Sequence, residues 1–84
     1  MPWFVYILRS SKSRWYYVSS TNRIEERLNE HNAGKVTSTK RYAPLELVFT
    51  KEFNLEKDAR AYEKKVKERR IEKESIIREI EREK

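Results

Sequence analysis

The single histidine, His31, stands four residues after Arg27, so on a helix the two side chains project from one face about one turn apart. Such a pair can handle a phosphate, because a guanidinium offers its oxygens a fixed fork of donors while an imidazole exchanges a proton near neutral pH. The same spacing also suits a helix-end histidine covering the core beside a solvated arginine. Tyr6 and Tyr17 lie in two apolar stretches that read as neighbouring strands, where two phenols can converge. A phenol with its ordinary pKa near 10 serves as a base only when a cation or proton acceptor assists it, and strand tyrosines also make good core residues. Glu63 interrupts an apolar helical stripe beside Tyr62, four residues beyond Ala59. A carboxylate there needs a partner, and two are open: an ion pair with Lys67 one turn on, or a hard cation such as Mg²⁺, which keeps much of its water shell and needs few protein ligands. Finally, Lys35, Lys40 and Arg41 lie among Thr37, Ser38, Thr39 and Tyr42. Cations with interleaved hydroxyls suit phosphate-backbone contact that reads no sequence, and they equally suit a soluble loop.

The chain that must position these groups has 84 residues, of which 37% are hydrophobic and 40% charged. That supports a single domain over residues 1–84 with a thin core, since chains of this size bury only about 60% of the surface their unfolded form exposes. Ten aromatic rings offset the scarcity of aliphatics. With no cysteine there are no disulfides or thiolate metal sites, which fits a reducing compartment, and the cytoplasm is the expected location. No apolar run approaches a membrane span, and residues 1–10 do not read as a secretion leader, so neither membrane nor export is expected. The formal charge of +6 is unevenly spread: residues 1–51 carry nine Lys/Arg against four acids, and residues 52–84 eleven against ten. A basic first half favours nucleic acid as a partner.

Trp3 to Leu8 is a dense aromatic and β-branched run and reads as a strand buried on both faces; Trp15 to Val18 resumes strand character after a short polar turn, giving an antiparallel hairpin. Thr21 or Asn22 can cap a helix over residues 23–32, whose Ile24, Leu28 and His31 share a face, and Gly34 ends it. Pro44 opens a third strand with Leu45, Leu47 and Phe49 alternating. Asn54 reads as the cap of a long helical segment that runs through Ala59, Tyr62 and Val66 to Ile71, Ile76, Ile77 and Ile80, with a bend or break near Arg69 to Ile71. The expected fold is α/β: a three-stranded, mainly antiparallel sheet flanked by helices in the order ββαβαα. Its core spans about residues 3–70, with a charged C-terminal helix over about 71–84.

In order along the chain, Phe4-Val5-Tyr6, Tyr17-Val18-Ser19, Arg27 with His31, and Glu63 resemble the GIY-YIG nuclease superfamily from Trp3 to about Arg70. More narrowly, VYILRS, YYVSST, ERLNEHNAGKV, STKRYAPLELVF and AYEKKVK resemble its small stand-alone bacterial and archaeal members. The resemblance implies a DNA endonuclease dependent on Mg²⁺ or Mn²⁺, selective for DNA structure and related to repair. It implies Glu63 as metal ligand, Arg27 as stabiliser of phosphate charge, one of Tyr6 and Tyr17 helping to deprotonate the attacking water, and His31 assisting the proton transfer. All five would gather round one hollow, with Lys35, Lys40 and Arg41 as nucleic-acid contacts.

Two positions depart from the motif: Phe4 replaces the first motif's glycine, and Ser19 that of the second. Glycine is favoured where backbone approaches a ligand closely or takes a positive φ, so Ser19 is expected to weaken cleavage. The alternative is a nucleic-acid-binding module without turnover. A third reading is a protein partner, or self-association, through the isoleucine stripe of the C-terminal helix.

Overall fold

The computed structural model describes residues 1–82. The elements run β1 (Trp3–Ser10), β2 (Tyr16–Thr21), α1 (Ile24–Asn32), a 3₁₀ turn over Lys40–Tyr42, β3 (Leu45–Phe53), α2 (Glu56–Glu68) and α3 (Arg70–Arg82). They form an α/β fold whose antiparallel sheet has the order β2-β1-β3. The expected order of elements is therefore the observed one. Residues 83 and 84 of the expected C-terminal helix lie outside the described residues.

β1 is the central strand, and its aromatic and branched run is buried from Val5 through Leu8. Alternation along a strand sends neighbouring side chains to opposite faces. Val5 and Ile7 therefore join Tyr16, Val18, Ala59, Val66, Ile77 and Ile80 in one core beneath α2 and α3, whereas Tyr6 and Leu8 pack with Leu45 on the side of α1. Ile76, Ile77 and Ile80 are thus occupied inside the molecule, and of the α3 stripe Ile71 alone is largely exposed, at 82%. The far end of α3 is fastened to the hairpin by Glu81, which accepts from Arg14 at 2.8 and 3.1 Å and from the Tyr16 hydroxyl at 2.8 Å.

Local details depart from the sequence reading. The residues preceding α1 and α2 are Arg23 and Leu55, and neither helix has a side-chain cap; Thr21 Oγ1 instead accepts the Arg23 amide at 3.0 Å, and Asn54 caps nothing. β3 extends to Phe53, and its simple alternation fails because the register with β1 shifts between Ile7 and Leu8. The bulge leaves Val48 as an extra residue, so that Val48 and Phe49 both reach the α2–α3 core. The break after α2 falls at Arg69, which is extended (φ −99°, ψ 100°).

Gly34 ends α1 as expected. Its φ is +76°, and with the bonds Gly34 N–H to His31 carbonyl (3.2 Å) and Lys35 N–H to Glu30 carbonyl (3.0 Å) it completes a Schellman closure that turns the chain sharply after His31. One residue before the close, Asn32 clamps the start of β3: its side-chain amide donates to the Leu45 carbonyl at 3.0 Å and accepts the Leu45 N–H at 2.7 Å. Replacing Asn32 by Ala removes both bonds. We expect a loss of about 1–3 kcal/mol of unfolding free energy, read as a lower urea midpoint with an unchanged slope.

Candidate active site

The phenol cluster lies on the α1 side of the sheet. Tyr6 stands opposite Ser19, and Leu8 opposite Tyr17, so both phenols project towards α1. The Tyr6 side chain is 1% exposed, and its hydroxyl lies 3.1 Å from His31 Nε2. His31, in the last turn of α1, is fully buried, with Nδ1 2.7 Å from Thr39 Oγ1. The Thr39 hydroxyl in turn lies 3.4 Å from the Val36 carbonyl oxygen.

These contacts assign the protons by inference. A carbonyl only accepts, so Thr39 donates to Val36; His31 Nδ1–H then donates to the Thr39 oxygen, and the bare Nε2 accepts from the Tyr6 hydroxyl. Burial pushes Tyr6 above the ordinary phenol value, outweighing the opposite pull of the Ser19 hydroxyl and of Arg27. His31 is pushed below the ordinary imidazole value, first by burial and then by the positive charge of Arg27. Both rings are therefore neutral at pH 7.

Arg27 donates to Glu30 at 2.9 Å, which is the main reason its proton is held more tightly than usual, and it also lies within polar reach of Tyr6. Tyr17 meets the His31 ring edge-on at 5.3 Å and 64°. Its hydroxyl has no hydrogen-bond partner among the described residues. Ser19 sits in ordinary strand backbone, since no non-glycine residue described has a positive φ. The conformational reason for a glycine is thus absent here.

Glu63 approaches from the other face. It lies on α2, half-buried, where Ser20 Oγ donates to Oε1 at 2.5 Å and Lys67 Nζ to Oε2 at 2.7 Å. Burial pushes its carboxyl up, but the hydrogen bonds from Lys67 and Ser20, with the charges of Lys67 and Arg60, outweigh that and hold it below the usual carboxylate value. It is ionised at neutral pH. The structure thus brings Tyr6, Tyr17, Arg27 and His31 together, and sets Glu63 apart: among the described residues no hydrogen bond or ion pair joins it to those four. Consecutive residues of β2 connect the two groups, since Ser19 faces the phenols and Ser20 faces the carboxylate.

Among the described residues no group of three or more His, Cys, Asp or Glu could hold a metal ion. Glu63 and the Ser20 hydroxyl nevertheless form a hard-oxygen pair, ionised and partly open, of the kind that suits Mg²⁺ completed by water and phosphate oxygens. Lys35, Lys40 and Arg41 are exposed on the segment between Gly34 and β3, the last two in the 3₁₀ turn. Sequence reasoning read Thr39 as a loop hydroxyl suited to phosphate contact, whereas it is fully buried against His31, and it gave Ser20 no role. Each is one hydroxyl among several neighbours, and nothing in its type or spacing sets it apart. No described helix is long and apolar enough to cross a membrane.

Comparison with curated proteins finds no match. Among solved structures, the chain is similar to the solution NMR structure of the UPF0213 protein BH0048 from Bacillus halodurans, with 29% identity, a TM-score of 0.55, and coverage of 90% of this chain and 83% of that one. The family profile described as the GIY-YIG catalytic domain matches residues 2–75. With the ββαβαα sheet, the paired phenols and the Arg27–His31 turn in place, the chain belongs to the GIY-YIG catalytic domain family, a family of nucleases.

Proposed function

We propose that this protein is a divalent-metal-dependent endonuclease of the cytoplasm that hydrolyses DNA phosphodiesters, with branched or nicked repair intermediates as its substrates. The observation that carries the reading is the hydrogen-bond chain Tyr6–His31–Thr39, buried beside Arg27. A phenol whose proton already points at a neutral imidazole can take a proton from water while passing its own to Nε2, so Tyr6 is the relay and His31 the terminal acceptor. Tyr17, whose hydroxyl has no hydrogen-bond partner among the described residues, orients the water or the phosphate. Arg27 stabilises the charge that develops on the phosphate oxygens.

The scissile phosphate sits at the open edge of β2, where Ser19 and Ser20 project to opposite faces and both halves of the site come within reach of one strand of DNA. Glu63, with the Ser20 hydroxyl, would hold Mg²⁺ or Mn²⁺ there in place of its ion pair with Lys67. Bound there, the metal supplies Lewis-acid stabilisation of phosphate and leaving-group charge. Lys35, Lys40 and Arg41 contact the phosphate backbone. Without a strained backbone at Ser19, no specific observation favours a binding module that lacks turnover.

The principal test is Glu63→Gln, which keeps an acceptor for Ser20 and removes the charge. Incubated with branched, nicked and plain duplex DNA in Mg²⁺, the variant is expected to lose at least about a hundredfold in cleavage rate while retaining DNA binding. Unchanged cleavage sinks the assignment. Thr39→Val removes the acceptor that fixes the His31 tautomer; we expect about a tenfold fall in cleavage, near the value of one buried hydrogen bond, and recovery in Thr39→Ser. A pH profile tests the histidine itself. Because His31 in the folded protein protonates below the ordinary imidazole range, cleavage should hold steady from neutral pH through that range and fail only on further acidification, when Nε2 gains a proton and can no longer accept one from Tyr6. Stability moves in the same sense. Between the ordinary and the lowered value the unfolded chain binds the extra proton, so the unfolding free energy should decline as pH falls through that window.

A further inference from the structure

Beside the proposed proton relay, the α1 side of the sheet carries two stacked rings, Trp15 and Tyr42, to which the proposed reaction gives no role. Trp15, at the entrance to β2, stacks on Tyr42 with ring centres 3.8 Å apart and planes only 8° from parallel. Tyr17 continues the series, 6.0 Å from Trp15 at 22°. All three rings are half-buried, and together they make a short column that ends against His31 at one side and at Tyr42 on the other. Packing alone accounts for part of this, since the rings cover Tyr6, Leu8 and Leu45. It does not account for where the column ends.

Tyr42 is held rigidly. Its N–H donates to the Thr39 carbonyl at 2.9 Å, and its own carbonyl accepts the Ser10 hydroxyl at 2.8 Å. Among the described residues its ring has no stacking neighbour besides Trp15. The two residues before it, Lys40 and Arg41, are exposed cations in the same 3₁₀ turn, without an ion pair among the described residues. A rigid, partly exposed aromatic ring flanked by cations is the arrangement that holds an unpaired nucleotide: the base stacks on the ring while the cations take the phosphates. The column also has a suitable reach, since bases stack at about 3.4 Å per step and a strand continuing from Tyr42 would arrive at the Tyr17–His31 end within a few nucleotides.

We infer that the outer face of Tyr42 is a stacking subsite for an unpaired nucleobase of the nucleic-acid strand bound at the phenol site. The inference rests on the nucleic-acid reading above but not on turnover. It makes Tyr42 a specificity-determining residue that favours substrates with at least one unpaired base beside the cut.

The test is an equilibrium binding measurement in chelator, so that no cleavage is required. Fluorescence anisotropy compares a short oligothymidylate with an abasic strand of the same length and the same number of phosphates. The parent protein is expected to bind the base-bearing strand about tenfold more tightly. Tyr42→Leu, which keeps an apolar cover over Trp15, should erase that ratio while leaving the abasic affinity unchanged, and Tyr42→Phe should retain it. Arg41→Gln should weaken both strands together and leave the ratio intact. Equal affinity of the parent protein for the two strands overturns the inference, as does a Tyr42→Leu variant that keeps the full ratio. Failure here leaves the Glu63→Gln cleavage result untouched, so the subsite and the nuclease reading fail separately.

Discussion

A phenol in the middle of a strand buried on both faces takes its resting hydrogen-bond partner from inside the protein, because little of it is open to solvent and an unpaired buried hydroxyl is destabilising. Tyr6 is in that position, and much of the molecule's α1 side follows from it. The partner is His31, which can accept only if its other nitrogen carries the proton, and that nitrogen is satisfied by Thr39. Bringing Thr39 back to the histidine requires the chain to reverse directly after α1. The Schellman closure at Gly34 provides the reversal, and the Asn32 clamp fixes where β3 begins afterwards. No buried side-chain polar atom described is left without a partner, so the Tyr6–His31–Thr39 chain is satisfied throughout.

Charge is distributed in keeping with this. The buried pair is neutral, because burial opposes both the phenolate and the imidazolium, and the positive Arg27 opposes the latter further. Proton transfer from Tyr6 to His31 is therefore uphill in the free protein. In the proposed reaction, negative charge developing on a phosphate beside Arg27 would offset the positive charge that disfavours imidazolium. The ionised carboxylate lies across the sheet at Glu63, stabilised by Lys67 and Ser20 rather than by Arg27. Glu63 and Arg27 lie on opposite faces and pair with Lys67 and Glu30 rather than with each other.

The sequence carried more of the scaffold than of the wiring. Val5 to Leu8 identified a fully buried central strand because no polar residue interrupts it. The lone glycine identified the end of α1, and the changing apolar stripe located the break at Arg69. The five motif positions were readable as types in order, but the expectation that all five gather round one hollow does not match the arrangement: Glu63 meets Ser20 on the opposite face from Tyr6, Tyr17, Arg27 and His31, and the parity of strand residues decides that only once the register is known. The cap at Asn54 and the alternation in β3 failed for local reasons, an extended Leu55 in one case and a bulged Val48 in the other. Thr39 and Asn32 act through single long-range contacts. A polar side chain in a polar stretch gives no sign of which buried group it will meet.

The position of β2 gives the arrangement its consequence. As an outer strand it has a sheet neighbour on one side only, and exposed edges invite unwanted pairing unless they are short or polar. Here the edge is six residues long and ends in Ser19, Ser20 and Thr21, so its open side is short and carries hydroxyls. The same hydroxyls face both halves of the site, Ser19 towards the phenol that would accept a proton and Ser20 towards the carboxylate that would hold a cation. A central strand must bury its side chains on both faces and cannot present two chemistries to one ligand. An edge strand can, because a ligand lying along its open side touches both faces at once. In the proposed reaction that geometry would place proton transfer and charge neutralisation a single residue apart, on opposite faces of a three-stranded sheet.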